Sequence, residues 1–379
     1  MLSFTFISFT HWYELIFDTL FKQLDFDMYY VDNMSRKPPY YYLSNTNTTV
    51  PNPKHSIWFF DQEPLHTEAI RFVDSAEKWY FSPGKKFFVT SEISSTVDRY
   101  TQGMNATSIY YFFHGIAANE WYHQYRWNRP KYNGHEHLFI SYNNLVNPFR
   151  AHRLDLLSRL YSKDLMSQGL VSFNYTGEEQ LENAVKFNPW LTSESQSIIE
   201  AQYHNLKKSL TIDTEEVEGF LSATIDLKNC RNSFVQVVTE TEFFKDKLHL
   251  TEKIFKPIVA GQPFLLLAGA GNLEYLRRYG FKTFGDYWDE GYDNITDPGK
   301  RVQAVVDILE KLASLSHAEQ VQMRKDMQSI IDYNFDHLFI NLRSIVADEF
   351  ISNTASALES NGLVVNKLDL SNLRKLLVN

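Results

Sequence analysis

Short runs of aromatic and β-branched residues alternate with amphipathic stretches along the first third of the chain. Runs of this kind predict strands, and apolar positions that recur every three or four residues predict helices. Residues 12–24 are predicted to be a helix, and residues 35–53, which hold four prolines around an Asn/Thr cluster, a loop. The predicted strands are residues 2–9, 28–31, 56–60, 87–90 and 108–113. This alternation indicates a parallel sheet covered by helices.

The alternation begins again after residues 126–134, which contain Pro130 and Gly134 and are predicted to be a linker. The strands predicted beyond it are residues 137–142, 169–173, 234–239 and 263–267. The helices predicted there are residues 150–162, 194–210, 251–260, 272–279, 302–315 and 318–333, with helix continuing to about residue 350. Two α/β units in tandem predict a cleft where the carboxyl ends of both sets of strands can face each other.

The length of the chain supports a division into domains, because 379 residues exceed what one hydrophobic core usually holds. We predict an N-terminal Rossmann-like acceptor domain over residues 1–134. A C-terminal Rossmann-like donor domain is predicted over residues 135–345, and a helical tail over 346–379. The predicted fold class is therefore α/β, with two Rossmann-like domains facing a central cleft.

Composition and charge narrow the function further. The net charge of −9 argues against a protein that grips nucleic acid through a general basic surface. The single cysteine, Cys230, forbids an intrachain disulfide and favours a reducing compartment. The apolar N-terminus is interrupted by His11, Glu14 and Asp18, so that neither a signal peptide nor a membrane span is expected. We expect a cytoplasmic protein.

The most informative segment follows the predicted strand 234–239, which ends in two carboxylates, Glu240 and Glu242. After a short loop, Thr251 can cap a helix whose first turn carries Glu252 and Lys253. A diphosphate at this helix start would meet free backbone N–H groups, the positive end of the helix dipole and a lysine. The segment therefore predicts a site for a nucleoside diphosphate.

The rest of this helix fits the same interpretation. Lys256 adds a second cation one turn after Glu252, and Pro257 predicts a kink or a 3₁₀ step because it has no backbone N–H. Taken alone, a Thr-Glu-Lys sequence is typical of the start of any solvated helix. Here the order of strand, carboxylates, capped helix and the turn at Ala260 and Gly261 favours the nucleotide site.

Residues 251–255 (Thr-Glu-Lys-Ile-Phe), followed by Ala260, Gly261 and Pro263, resemble the donor-site signature of the α-1,3-fucosyltransferases and their phage and bacterial relatives. The resemblance implies a GT-B glycosyltransferase that uses a nucleotide sugar and needs neither a metal nor a further cofactor. It also implies that Glu252 binds the ribose and Lys253 a phosphate.

Two further parts of the chain bear on this resemblance. Residues 141–150 resemble the family's entry into its second domain, which implies that Arg150 reaches the donor phosphates, with Arg153 one helical turn later. The family's Phe-Glu-Asn-Ser element is replaced by residues 239–242 (Thr-Glu-Thr-Glu). Glu240 takes the place of the family's upstream glutamate, with Glu242 as its competitor, and fucose itself cannot be inferred.

The acceptor side rests on residues at the ends of predicted strands in the first domain. Asp61 and Glu63 follow strand 56–60, where a parallel sheet places ligands, and either can serve as the general base, with Glu63 preferred. An N-cap or loop carboxylate is the alternative for both. Glu92 is a weaker candidate of the same kind. His114, at the end of strand 108–113, is a candidate for contacting donor or acceptor, or a structural histidine.

Three functional hypotheses follow. The first is an inverting glycosyltransferase acting on a glycan or small-molecule acceptor; the acidic charge favours these over a hydroxymethylated DNA base. The second is a sugar-nucleotide epimerase or isomerase, and the third a non-catalytic sugar-nucleotide-binding protein. No metal site is predicted: Asp25 and Asp27 superficially form an Asp-X-Asp pair, but they lie between a helix and a short strand near the N-terminus.

Overall fold

The computed structural model describes most of the chain, and its contacts divide it into two units. The first unit comprises Met1–Ile116 and Arg343–Asn379, and the second comprises Ala117–Leu342. The domain limits predicted from the sequence stay a prediction. The described residues are 13, 16–21, 24, 26–32, 42–45, 54–61, 64–65, 84–144, 146–186, 188–212, 222–244, 246–364 and 366–378. The predicted strand 2–9 lies outside them.

The strands and helices are numbered here along the chain. The strands are β1 (Phe26–Asp32), β2 (Tyr42–Asn45), β3 (His55–Phe60), β4 (Lys86–Thr90), β5 (Ala106–Tyr110), β6 (His137–Asn143), β7 (Gly169–Phe173), β8 (Ser233–Thr239) and β9 (Phe264–Leu267). The helices are α1 (Ser95–Gly103), α2 (Phe113–Trp121), α3 (His152–Ser162), α4 (Glu178–Lys186), α5 (Ser193–Ala201), α6 (Tyr203–Leu206), α7 (Leu227–Arg231), α8 (Phe255–Ala260), α9 (Asn272–Arg278), α10 (Pro298–Ala313), α11 (His317–Asp326), α12 (Gln328–Asp336), α13 (Leu342–Ser360) and α14 (Lys367–Val378).

The first unit is built on a five-stranded sheet in the order β2-β1-β3-β4-β5. All neighbouring strands are parallel except the antiparallel pair β1 and β2, in which Tyr30 lies opposite Ser44. The prediction of a loop over residues 35–53 is therefore wrong at β2. The prolines and asparagines signal a turn, but they carry no information about the free edge of β1 with which this segment pairs.

Helix α13 packs on the end of β5 in the first unit. The backbone N–H of Phe112 donates to the Glu349 carboxylate at 3.0 Å, and the Asn353 side chain donates to the Tyr110 carbonyl at 2.7 Å. The rings of Tyr111 and Phe350 meet edge to face at 5.0 Å between centroids. The residues after Arg343 thus complete the core of the first unit.

The second unit is built on a four-stranded sheet in the order β7-β6-β8-β9, and all of its strands are parallel. Every residue of β8 is buried, as expected for a central strand with both faces covered. Because the strands are parallel, their carboxyl ends meet at one edge: Thr239 lies opposite Leu267. The predicted fold class, α/β with two sheets, is confirmed.

The turn after α8 has a steric reason to contain glycine. Gly261 lies in the left-handed region at φ 68° and caps the helix, a conformation that side chains with a Cβ rarely adopt. A Cβ at this position would also lie 2.7 Å from Cγ of Pro130. The Arg324 guanidinium donates to the Gly261 carbonyl from the other side. Pro130, in the segment predicted to be a linker, therefore packs directly on the glycine turn.

Three predicted elements end or begin elsewhere in the structure. The stretch 194–210 forms two helices, α5 and α6, and Leu210 then bonds with Phe173 as an isolated bridge, with N–O distances of 2.8 and 2.9 Å. Helix α10 begins at Pro298 because Asp297 caps it, accepting from the backbone N–H of Lys300 at 2.9 Å. Strand β5 runs from Ala106 to Tyr110, so the predicted strand 108–113 begins and ends too late along the chain.

Candidate functional site

A cavity of about 520 Å³ opens at the carboxyl edge of the sheet in the second unit. Its lining includes residues at or just beyond the carboxyl ends of β6, β7 and β8, namely Asn144, Asn174 and Thr241. Ligands of parallel α/β sheets bind outside the carboxyl ends of the strands. We name this the carboxyl-edge cavity; it is lined by four cationic side chains, Arg150, Arg153, Lys253 and Lys256, and two carboxylates, Asp226 and Glu252.

The two arginines follow β6 on a one-turn helix, Pro148–Arg150, and on the first turn of α3. Arg153 is 3% exposed, and its Nη2 donates to the Thr239 carbonyl at 3.2 Å, which ties it to the end of β8. Burial, together with the neighbouring charge of Arg150, lowers the pKa of Arg153 to about 9. An anion in the cavity would relieve this cost of holding two cations close together.

The two lysines lie on the segment after the β8 loop. Lys253 Nζ lies 3.1 Å from Oγ1 of Thr251, 3.4 Å from Oγ1 of Thr241 and 3.4 Å from Oε1 of Glu252. Burial lowers the pKa of Lys256; the Glu252 charge opposes this, and the neighbouring Lys253 charge acts in the same direction as burial. Both lysines therefore stand in a cavity whose surroundings favour a bound negative group.

The start of this segment has the geometry that its sequence predicts. Thr251 caps a single 3₁₀ turn, Glu252–Ile254, and its hydroxyl accepts from the backbone N–H of Lys253. The predicted N-cap at Thr251 is confirmed, whereas Pro257 lies within the first turn of the α-helix that begins at Phe255, so the 3₁₀ turn precedes the proline instead of lying at it. Glu252 is 7% exposed and lines the cavity next to the lysine.

Glu240 lies fully buried at the end of β8 and is not among the cavity-lining residues. Its carboxylate accepts from the Thr251 hydroxyl at 2.6 Å, the Thr251 backbone N–H at 3.2 Å and the Thr241 backbone N–H at 3.3 Å. Burial raises its pKa, whereas the Lys253 charge and these hydrogen bonds lower it. In this structure Glu240 positions the residues that form the cavity wall.

Glu242 is likewise not among the cavity-lining residues. It is 6% exposed and forms an ion pair with Lys247, N–O distance 3.4 Å, whose side chain is 1% exposed. Between the two acidic positions and the helix, Phe243 is held by His152, stacked at 4.4 Å between ring centroids, and by the Arg301 guanidinium at 4.2 Å. These contacts of His152 and Arg301 with Phe243 hold the loop after β8 in place.

Sequence reasoning missed Asp226, one of the two carboxylates that line the cavity. Asp226 accepts from the backbone N–H of Asn229 as the N-cap of α7, and the Tyr142 hydroxyl lies 3.3 Å from its other oxygen. The sequence signal that could have identified it is an aspartate at a helix start, which predicts an N-cap that accepts from a backbone N–H three residues later. Tyr122 is fully buried, and its hydroxyl donates to the carbonyl of Ser222, a residue that also lines the cavity, at 2.8 Å.

In the first unit, Asp61 directly follows β3 and is 1% exposed. Its two carboxylate oxygens accept from the hydroxyls of Tyr13 at 2.7 Å and Tyr111 at 2.5 Å. Burial raises the pKa of Asp61 to about 6, and the two tyrosine hydrogen bonds oppose this. A carboxyl group that titrates near neutral pH has the acid–base range that a general base needs. Glu63 lies outside the described residues.

The other two candidates of the first unit have different surroundings from those expected. His114 lies in α2, not at a strand end, because β5 leaves the sheet after Tyr110; its side chain is buried. Glu92 is 2% exposed, accepts from the backbone N–H of Leu65 at 2.7 Å and from the Ser94 hydroxyl. Its contacts connect residue 65 to the N-cap of α1.

Metal and membrane features were sought in the part of the chain that the structure describes. No three His, Cys, Asp or Glu side chains there are arranged to hold a metal ion, and metal independence stays a prediction. Within the same residues, no helix has the length and apolar character that crossing a membrane requires.

The two mostly parallel sheets define the α/β class of the fold. Comparisons with known proteins found solved structures that are distantly similar to the chain. No protein-family model and no curated protein matches the chain. A T4 phage BGT mutant in complex with UDP-glucose has a TM-score of 0.40 at 10% identity, covering 80% of this chain and 74% of its own. A UDP-forming trehalose-phosphate synthase from Burkholderia xenovorans has a TM-score of 0.38 at 12% identity, covering 80% and 69%.

A third solved structure, a glycosyltransferase from Rickettsia africae, has a TM-score of 0.30 at 12% identity and covers 80% of this chain and 70% of its own. Likeness at these values concerns the fold alone. It assigns neither a substrate nor the role of any residue.

Proposed function

We propose that this chain is a glycosyltransferase of the GT-B class that binds a nucleotide-sugar donor in the carboxyl-edge cavity. The observation that carries the proposal is the gathering of four cationic side chains and two carboxylates in one cavity of about 520 Å³ beside a helix start. The volume lies in the range of small-molecule sites. The excess of positive charge fits a diphosphate, whose departure is the step that such an enzyme must assist.

Each lining group has a role in this proposal. Arg150, Lys253 and Lys256 neutralise the diphosphate, and Arg153, buried at the end of β8, adds a fourth positive charge. Glu252 accepts hydrogen bonds from the ribose hydroxyls. The apolar side chains of Leu210, Ile212 and Ile225, which also line the cavity, are suited to the face of a nucleobase. These roles agree with those that the resemblance to the fucosyltransferase family implies, although the sugar itself is left open.

The transfer we propose is a direct displacement that inverts the anomeric centre. An acceptor hydroxyl attacks the anomeric carbon, the bond from that carbon to the diphosphate oxygen breaks, and a general base takes the hydroxyl proton. Asp61 is the described residue suited to this task, since its pKa is raised to about 6. Glu63 is the other candidate, and His114 a further group that can contact either substrate. The net charge of −9 favours a glycan or small-molecule acceptor over DNA.

A thermal-shift panel of GDP, UDP, CDP, ADP and dTDP without added metal tests the donor site. A ligand that binds only the folded protein raises its melting temperature. We expect one nucleotide to stabilise the wild type and the exposed-surface control Lys300→Ala equally, and Lys253→Ala markedly less. If no nucleotide shifts any of the three folded proteins, the donor-site proposal fails.

A second measurement separates the three functional hypotheses once the nucleotide is known. Release of nucleoside diphosphate that depends on an added acceptor is expected of a transferase. Conversion of the nucleotide sugar without acceptor would identify the epimerase or isomerase instead. Tight donor binding without any turnover across a panel of glycan and small-molecule acceptors would favour the non-catalytic binding protein.

A further inference from the structure

The second unit contains another cavity, of about 720 Å³, at the amino edge of its sheet. Glu136 and Asn232, which line it, immediately precede β6 and β8. In a parallel sheet the amino ends of the strands lie at the edge opposite to the carboxyl ends. We name this the amino-edge cavity. It shares no lining residue with the carboxyl-edge cavity, so the site is not part of the proposed donor site.

Positive side chains dominate the wall of the amino-edge cavity. Lys131, Lys228 and Arg231 line it, and none of them has an ion-pair partner among the described residues. A fourth cation, Arg129, is already paired with Asp332 at 3.7 Å and with Asp336. The wall therefore differs in charge from the chain as a whole, whose net charge is −9.

Negative charge in the described wall is limited to one residue. Glu136 is the single carboxylate among the lining residues, and one of its oxygens accepts from the Asn232 side chain at 3.0 Å. Two histidines, His135 and His317, complete the ionisable groups of the wall, and their rings lie 4.8 Å apart. The cavity therefore has an excess of cations that its own carboxylate does not neutralise.

Unused hydrogen-bond donors point to the same kind of ligand. The backbone N–H groups of Lys131, Asn133 and Gly134 donate to no described protein acceptor. At Gly134, φ is 107° and no atom lies within 4 Å of where a Cβ would stand, so the backbone borders open space. Backbone N–H groups combined with Lys and Arg are the chemistry that binds phosphate.

We propose that the amino-edge cavity binds a small phosphorylated ligand, of the size of a sugar phosphate. The cations and free donors select a phosphate group, and a volume of about 720 Å³ exceeds what the phosphate alone would fill. The net negative charge of the chain favours a small anion over a nucleic acid, because the long phosphate backbone of a nucleic acid would also be repelled by many surface carboxylates. The site adds a second ligand to the protein, whatever the carboxyl-edge cavity takes.

Isothermal titration calorimetry with a hexose 6-phosphate tests this site. The proteins compared are the wild type, the double variant Lys228→Gln/Arg231→Gln, the surface control Lys300→Gln, and Lys253→Ala. We expect the double variant to bind at least about tenfold more weakly, because two charge-assisted contacts are lost. Binding by Lys300→Gln and Lys253→Ala is expected to equal that of the wild type. Single variants replace the double variant if it does not fold.

Three results would overturn the proposal. The first is equal affinity in the wild type and the folded amino-edge variants. The second is a loss of binding in Lys253→Ala, which would assign the hexose phosphate to the carboxyl-edge cavity. The third is a single-stranded DNA oligonucleotide that binds through Lys228 and Arg231 while the hexose phosphate does not. Because Lys253→Ala reports on the donor site alone, failure of this proposal is distinguishable from failure of the proposed function.

Discussion

The hydroxyl of Thr251 donates to Oε2 of Glu240 at 2.6 Å and at the same time accepts from the backbone N–H of Lys253. One side chain thus joins the buried end of β8 to the turn that carries Glu252 and Lys253. Among the described residues, the hydrogen bonds that this turn gives to the Glu240 carboxylate both come from Thr251, through its hydroxyl and its backbone N–H at 3.2 Å. The position of the proposed diphosphate ligands therefore depends on this pair.

Replacing Thr251 tests the importance of its hydroxyl. Thr251→Val keeps the shape but leaves a buried carboxylate without its hydroxyl partner and the turn without its cap. We expect a loss of about 1–3 kcal/mol in the free energy of unfolding. Thr251→Ser retains both contacts and is expected to lose less than half as much. Chemical unfolding without ligand measures both, and a valine variant as stable as the serine variant would contradict the assigned role.

A second stability prediction compares two ion pairs with the same i, i+4 spacing in the second unit. Asp155 and Arg159 are 2% and 3% exposed, with an N–O distance of 2.8 Å, and the Ser195 hydroxyl also donates to Asp155 at 2.6 Å. Glu182 and Lys186 are 43% and 60% exposed at 2.9 Å. Their environments differ, although their spacing in sequence is the same.

Removing the acidic partner is expected to have very different effects at the two pairs. Asp155→Ala leaves the buried Arg159 guanidinium with the exposed Glu194, 3.6 Å away, as its remaining carboxylate partner and should cost about 3 kcal/mol, whereas Glu182→Ala should change stability by at most about 0.5 kcal/mol. Equilibrium unfolding in urea measures both. Similar losses in the two variants would mean that burial does not govern the strength of these pairs.

The sequence predicts the second unit well because local signals there agree with the tertiary structure. Strand β7 has the predicted limits, 169–173, since an apolar run lies between clear turn residues. The capped turn at Thr251 and the glycine turn at Gly261 were also recognisable, because capping and left-handed backbone depend on residues close in sequence.

Contacts between distant residues could not be predicted in the same way. Nothing in the sequence around Glu240 indicates that its carboxylate bonds to Thr251 and not to a ligand. The two tyrosines that hold Asp61 lie 48 and 50 residues away along the chain. The cations of the amino-edge cavity come from residues 128–136 and from α7, which only the sheet brings together.

The raised pKa of Asp61 predicts a pH dependence of stability. Burial raises the pKa from 3.8 to about 6, so the folded protein binds this proton more tightly than the unfolded chain does. The resulting stabilisation is fully present below pH 4 and is lost as the pH rises through about 6. At about 1.4 kcal/mol per pKa unit it amounts to about 3 kcal/mol.

Asp61→Asn removes this titration while keeping the size of the side chain. Relative to the wild type, we expect the variant to gain stability by about 3 kcal/mol between pH 4 and pH 7. The difference between the two proteins cancels the other titrating groups. Urea unfolding at a series of pH values measures it, and a constant difference over this range would show that Asp61 titrates at its ordinary pKa.

The same ionisation governs the rate if Asp61 is the general base. Only the ionised carboxylate accepts a proton, so kcat/KM for the transfer should rise about tenfold per pH unit below about 6 and level off above it. Asp61→Asn should lower kcat by at least about a hundredfold without a matching change in nucleotide affinity. Glu63→Gln is the matched comparison, because it removes the other candidate carboxylate. If Glu63→Gln abolishes transfer while Asp61→Asn keeps the activity and the pH profile, the base is Glu63, and the tyrosine-bound Asp61 serves the fold alone.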